Sequence, residues 1–180
     1  MIDTIPILTG DKVKLRPFND KDYEAWYHVS QDPNMHLWVG NTVPKNLQEV
    51  KALIDIYLET FYIIWMMEDI NTNHVIGMMR ISNFEASEEG IKAGDSQRLH
   101  SNYWRKGYMK EARRLVYNYV FHTLHVDLLC ADVWEGNINS SKSLEHAGYR
   151  HIDTKQEYFK KYDRMQNKLY YQLKSNWWCQ

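Results

Sequence analysis

Residues 104–123 most constrain the fold. There Tyr108, Ala112, Leu115, Val116, Tyr119 and Val120 recur at helical spacing, while Lys110, Arg113, Arg114 and Asn118 fall on the opposite face. The flanking runs read as strands. IKAGDSQRLHS (91–101) is weak by propensity and takes its assignment from context. HVDLLCADVW (125–134) is apolar enough for a strand buried on both faces of a parallel pair. Residues 91–134 therefore predict a βαβ unit with a right-handed parallel crossover. Such a unit requires a sheet with helices packed on it, so the chain belongs to the α/β class.

The rest of the chain fits around that unit. KVKLRPF (12–18) predicts a short edge strand, broken by Pro17. Asp20 is placed to cap a helix over KDYEAWYHVS, in which Tyr23, Trp26, Tyr27 and Ser30 share a face. MHLWVGNTVP (35–44) reads as an irregular loop. Asn46 and Glu49 form a capping-box pattern ahead of Leu47, Val50, Leu53, Ile54, Tyr57 and Leu58, which follow at helical spacing. FYIIWMM (61–67) and HVIGMMRIS (74–82) read as strands joined by a turn. GNINSSKSLEHAGY reads as a short helix with an Asn or Ser cap and a stop at Gly148. The last third reads as two strands with a turn near KKYDRMQN. The predicted order is β-α-α-β-β-β-α-β-α-β-β.

Composition sets limits. The 180 residues suit one domain, 1–180, and a hydrophobic fraction of 44% supplies a sizeable core. A net charge of -1 argues against nucleic acid or an anionic membrane as a general partner. No apolar run approaches the roughly 20 residues that span a bilayer, and the N-terminus does not read as a signal peptide. Cys130 lies in an apolar run and Cys179 is penultimate, so the expectation is no disulfide and a reducing, cytoplasmic setting. No metal-ligand spacing is present. The terminal NWW suggests an exposed contact and a homodimer.

Arg105, Lys106 and Lys110 crowd the start of the central helix, where the peptide dipoles already place partial positive charge. Gly107 among them marks a tight turn or a close approach. A strand running into free helix N–H groups makes an anion pocket, and phosphate is the common occupant. Two other readings stand beside this one. One is a solvated basic helix. The other is a nucleic-acid patch extended by Arg113 and Arg114.

YWRKGYMKEA resembles the acetyl-CoA signature of GNAT-fold N-acetyltransferases, nearest to the RimJ/RimL branch that modifies ribosomal-protein N-termini. VKLRPF, HVIGMMRI, NINSSKSLEHAGY and KLYYQLKSNW resemble further pieces of that family in the right order, over nearly the whole chain. The resemblance implies a mixed sheet of about seven strands with about four helices, in which the family's fourth and fifth strands are parallel and splay apart. Acetyl-CoA would enter the splay. Leu99 and Ser101 would pair with the pantetheine arm, and Asn137 would lie beside it. Arg105, Lys106, Gly107, Tyr108, Met109 and Lys110 would hold the pyrophosphate.

The implied chemistry is direct attack of a primary amine on the thioester in a ternary complex, without metal. The acceptor would be a peptide N-terminus, a polyamine or another small amine. An alkylamine of pKa about 10 must first lose a proton. By the resemblance Glu157 is the base and Ser140 the acid for the departing thiolate. Trp26, His36 and Trp38 are expected on the acceptor wall. Glu85, Glu88 and Glu89 offer negative charge to a cationic acceptor. Three features depart from the family pattern: KAGDSQRLH lacks the carboxylate-then-Gly pattern common in the fourth strand, although Asp95 lies near that place, and two positions of the signature differ. Arg105 stands at a customary Gly, and Met109 at a customary small residue. The contrasting readings are a non-catalytic CoA-binding or partner-binding protein of this fold, and an RNA-associated module.

Overall fold

The computed structural model describes residues 4–178. In chain order the elements are β1 (Leu8–Thr9), β2 (Val13–Pro17), α1 (Asp22–Val29), α2 (Leu47–Thr60), β3 (Phe61–Asp69), β4 (Val75–Ser82), β5 (Glu85–Ser87), β6 (Gly90–Leu99), α3 (Tyr108–Asn118), β7 (Leu128–Trp134), α4 (Ile138–His146), β8 (Arg150–Phe159) and β9 (Arg164–Lys174). The sheet order is β1-β2-β3-β4-β6-β7-β9-β8, with β5 paired to β6. Every pairing is antiparallel except β6 with β7. The nine strands exceed the seven expected because β1 and β5 are two and three residues long.

Alternation along the strands divides the core between two faces. Val13, Leu15, Trp65, Met79, Ile81, Leu129 and Leu173 meet Ala112 and Val116 of α3, and Val120 just beyond it, on one face. On the other, Ile64, Met66 and Met78 meet Trp26 and Val29 of α1 and Val50, Ile54 and Tyr57 of α2. The second layer covers only half of its face. On the β7-β9-β8 half Asp132 is exposed and Cys130 partly exposed, so β7 is not buried on both sides as its composition suggested.

Several local expectations are corrected. VKLRP is not the edge, because β1 pairs outside it. Asp20 does not cap α1. Lys21 is the cap residue, and Asp22 instead accepts the Asn19 N–H at 2.7 Å and takes Arg16 in a bidentate pair. The Asn46 cap holds, with its side chain accepting the Glu49 N–H at 2.9 Å, but Glu49 reaches back to Lys45 rather than to Asn46. Leu58 lies on an exposed face of α2, at 45%. Trp178 is buried against Tyr117 and Phe121, which removes the exposed aromatic pair behind the dimer expectation. Cys179 lies outside the described residues.

The central helix is shorter than its periodicity. It starts only after Gly107 and gives way to a π turn at Tyr119–Thr123. Arg113 is buried, not outward. Its guanidinium donates at 2.6 Å to both the carbonyl and the hydroxyl of Ser143 in α4. A long side chain on a flank of the stripe can reach under the next helix, which periodicity alone does not reveal.

Candidate active site

β6 and β7 pair only over Lys92–Gly94 and Leu128–Cys130. Beyond that, β6 is held on its other edge by β4 as far as Leu99, and β7 by β9 as far as Trp134. The two facing edges therefore part into a gap. The His100 N–H bonds to Ile76 on the β4 side, at 2.9 Å. Alternation of the ladder then turns the N–H and C=O of Gln97 into the gap. They form a strand edge without a strand partner.

The groups expected one turn further on are engaged elsewhere. The Leu99 carbonyl accepts the Trp104 indole N–H at 2.7 Å, and the Ser101 N–H donates to Asp32 at 2.7 Å. Asp32 is 69 residues from Ser101, and Trp104 turns its indole back onto Leu99 across a short helical turn, so no periodic pattern shows these bonds.

The mouth of the gap lies between the starts of α3 and α4. Gly107 has φ 87°, a left-handed conformation that favours glycine. A Cβ there would find only Lys12, at 3.8 Å, so conformation rather than crowding fixes the residue. The first helix bond runs from the Glu111 N–H to the Gly107 carbonyl, and the N–H groups of Tyr108, Met109 and Lys110 precede it at the helix end. Arg105, Lys106 and Lys110 are exposed around that end, and Met109 is partly exposed. Lys12, which the sequence did not single out, joins them by donating to the Lys106 carbonyl at 3.0 Å. Arg105 has φ 59°, which explains why glycine is customary there. It spans the mouth to Asn139 at 3.3 Å. Asn137 caps α4 by accepting the Ser140 N–H at 3.4 Å, and the Ser140 hydroxyl makes no hydrogen bond within the described residues.

Other motif residues are structural anchors. Tyr108 donates to Asp69 at 2.9 Å, tying α3 to the end of β3. The Glu111 carboxylate accepts the N–H groups of Asp11, Lys12 and Val13 at 3.0, 2.8 and 2.9 Å. Burial pushes that carboxyl up, but the three N–H bonds outweigh it and hold it below the usual range. Behind the gap, Asp95 is buried and accepts Tyr117 and, at 3.1 Å, Tyr149. Gln97, with its amide turned to suit its neighbours, donates to Asp95 at 3.2 Å and accepts from Arg113.

On the helix-free half of the other face, Glu157 accepts the Tyr170 hydroxyl and pairs with Lys168 at 3.6 Å, while Lys168 also meets Asp132 at 2.9 Å. The Tyr170 bond leads in holding the Glu157 carboxyl low, against a small burial effect and with help from Lys168. The loop between α1 and α2 reaches across to this half. Trp38 packs on Gly136, where a Cβ would lie 2.8 Å away, and meets Tyr162 edge-on. His36 is buried, with Nε2 against the Ser30 carbonyl at 2.8 Å. Trp26 is 2% exposed inside the second core, with no surface to offer an acceptor. Among the described residues, no group of three His, Cys, Asp or Glu side chains is arranged to hold a metal.

These elements form a mixed sheet whose one parallel pair parts beside a basic, glycine-started helix. The chain belongs to the GNAT acetyltransferase family, whose domain matches residues 12–150, and so is an acetyl-CoA-dependent acetyltransferase. It is 25% identical over 150 residues to the uncharacterized N-acetyltransferase YoaA of Bacillus subtilis (strain 168), covering 81% of this chain and 83% of that protein. Two solved structures show the same fold. One is the ribosomal-protein-S5-alanine acetyltransferase of Vibrio fischeri (TM-score 0.78, 16% identity, 98% of this chain and 100% of that one). The other is the spermidine N-acetyltransferase of Vibrio cholerae in complex with CoA and spermine (TM-score 0.77, 14% identity, 93% and 98%).

Proposed function

We propose that this chain moves the acetyl group of acetyl-CoA to a primary amine within the gap between β6 and β7. The observation that carries the reading is the unpaired β6 edge at Gln97, leading to the basic start of α3. The residues fit the cofactor. Gln97 takes the role expected of Leu99 and Ser101, offering an N–H and a C=O to the pantetheine arm. The N–H groups of Tyr108 to Lys110, with Arg105, Lys106, Lys110 and Lys12, face the pyrophosphate. Asn137 and the start of α4 form the opposite lip.

When bound, acetyl-CoA supplies the thioester. The amine's C–N bond would form first, turning the thioester carbonyl into an oxyanion, and the C–S bond would break as that oxyanion collapses, so one proton must leave the ammonium and one must reach the sulfur. Glu157 is ionised at neutral pH and accepts the first through water. Ser140, with its free hydroxyl, gives the second. A β6 N–H would stabilise that oxyanion. The motif likeness to the RimJ/RimL branch supports an α-amine as the acceptor.

Calorimetric titration with acetyl-CoA tests the site. The native chain should bind, Lys106→Ala should bind more weakly, and Gly107→Trp should not bind. Absence of binding by the native chain at millimolar acetyl-CoA would overturn the reading. A thiol-release screen over primary amines then tests transfer, and Ser140→Ala and Glu157→Gln should each lower kcat about 10²-fold or more.

A further inference from the structure

Arg80, Ser96 and Arg98 lie on the α2 face of the sheet, Ser96 and Arg98 on β6, which borders the gap, and Arg80 on β4 beside it. Arg80 pairs with Ser96 across β4 and β6, and Met78 pairs with Arg98. Arg80 is only 5% exposed. Its guanidinium lies over the rings of Tyr57 (4.0 Å) and Phe61 (4.6 Å) and donates to the Ser96 hydroxyl at 2.6 Å, but its Nε has no partner. Arg98 donates to the Asn41 side chain at 2.7 Å and, at 3.5 Å, to the same Tyr57 through its hydroxyl. Lys161, from the turn between β8 and β9, reaches over to the carbonyls of His36 and Asn41. Three cations thus converge on the segment 36–41 and on Tyr57.

Among the described residues no carboxylate lies within 4 Å of Arg80, Arg98 or Lys161. That is unusual for a guanidinium so deeply buried. Buried charges are normally paired, and arginine cannot escape by losing its proton. Asp95, the acid whose charge acts on Arg80, is on the other face with Tyr117 and Tyr149. Burial and then the neighbouring charge of Arg98 push Lys161 down. For His36 burial again leads, and Arg98 and Lys161 both add to it, so the cluster is self-repelling.

Resting on the acetyltransferase reading, we propose that the acceptor carries an oxyanion group as well as its amine, and that Arg80, Arg98 and Lys161 hold that group. The class meant is an amine bearing a carboxylate, such as an amino acid. On the same sheet face across the gap, Asp132 and Glu157 share the single cation Lys168, which leaves that end with one net negative charge to suit the ammonium. A polyamine would bring only positive charge to the three cations.

The test pairs acceptors that differ in one group. L-amino acids, their α-amides, O-phosphoethanolamine and spermidine are assayed for thiol release, and their binding to the CoA-loaded chain is read separately by calorimetry. A carboxylate-bearing amine should bind and react, with its amide at least about tenfold worse in kcat/KM. Arg98→Gln should raise KM for the acid about tenfold, leave its kcat near native and leave the amide unchanged. Arg80→Lys keeps the charge and loses the fork, and should show the same split. Preference for O-phosphoethanolamine over every amino acid would assign the site to phosphate and overturn the carboxylate class. Preference for spermidine, or an Arg98→Gln effect equal for acid and amide, overturns the inference entirely. If carboxylates bind through Arg98 but no amine is acetylated, the anion site stands and the transferase reading fails.

Discussion

Glu111 shows how much one motif residue can do away from the chemistry. Its carboxylate satisfies three successive backbone N–H groups in the turn between β1 and β2, and Gly10 leaves room for it, since a Cβ there would lie 2.5 Å from the carboxyl. Glu111→Ala should lower stability by about 1–3 kcal/mol in urea melts, because three backbone N–H groups lose a charged acceptor. The pH dependence has a definite sign. The folded carboxyl titrates below its unfolded value of about 4.3, so its contribution is full above that value and fades as pH falls through the depressed one. Between about pH 5 and about pH 3 the native chain should lose more stability than Glu111→Gln. Arg105 gives a second test. Relieving its φ of 59° by Arg105→Gly should stabilise the fold by up to about 1 kcal/mol, while weakening acetyl-CoA binding through the lost cation. The sequence did show Arg105 at a glycine place. It did not show Lys12 at the neighbouring Lys106, because that contact joins residues 94 apart.

At the scale of the element, α3 was legible in its apolar stripe but not in its ends. Ala112, Val116 and Val120 are buried as their spacing predicts. The start is set by the conformation of Gly107, and the finish by a π turn, and neither leaves a periodic signal. β6 was legible only from context, since its polar residues serve two faces: Asp95 and Gln97 toward α3, Ser96 and Arg98 toward α2. The loop between α1 and α2 carried the least signal, although it places Asp32, His36, Trp38 and Asn41. Gly136→Ala should loosen it, because φ is 99° and the added Cβ would strike Trp38 at 2.8 Å. Faster proteolysis of the 30–46 segment, with the far edge of the sheet unchanged, would check this.

Across the whole molecule, the sheet is two antiparallel halves joined by one short parallel pairing. The Asp95, Tyr117 and Tyr149 cluster ties α3 and the entry to β8 to the half that carries β6, so it braces the gap from behind. Tyr117→Phe should cost about 1–3 kcal/mol, seen as a lower urea midpoint with an unchanged slope. The order of the longer elements was legible because most of them have their own local period, whereas β1 and β5, of two and three residues, are too short to show one. The gap was not, since it depends on where two strands stop pairing. The central claim is that acetyl-CoA binds along the unpaired edge of β6. The most direct measurement is amide hydrogen exchange with and without acetyl-CoA, resolved to single residues. The account predicts strong slowing at Gln97 and at Tyr108 to Lys110, with little change in β3. Unchanged exchange at Gln97 under saturating acetyl-CoA would contradict it.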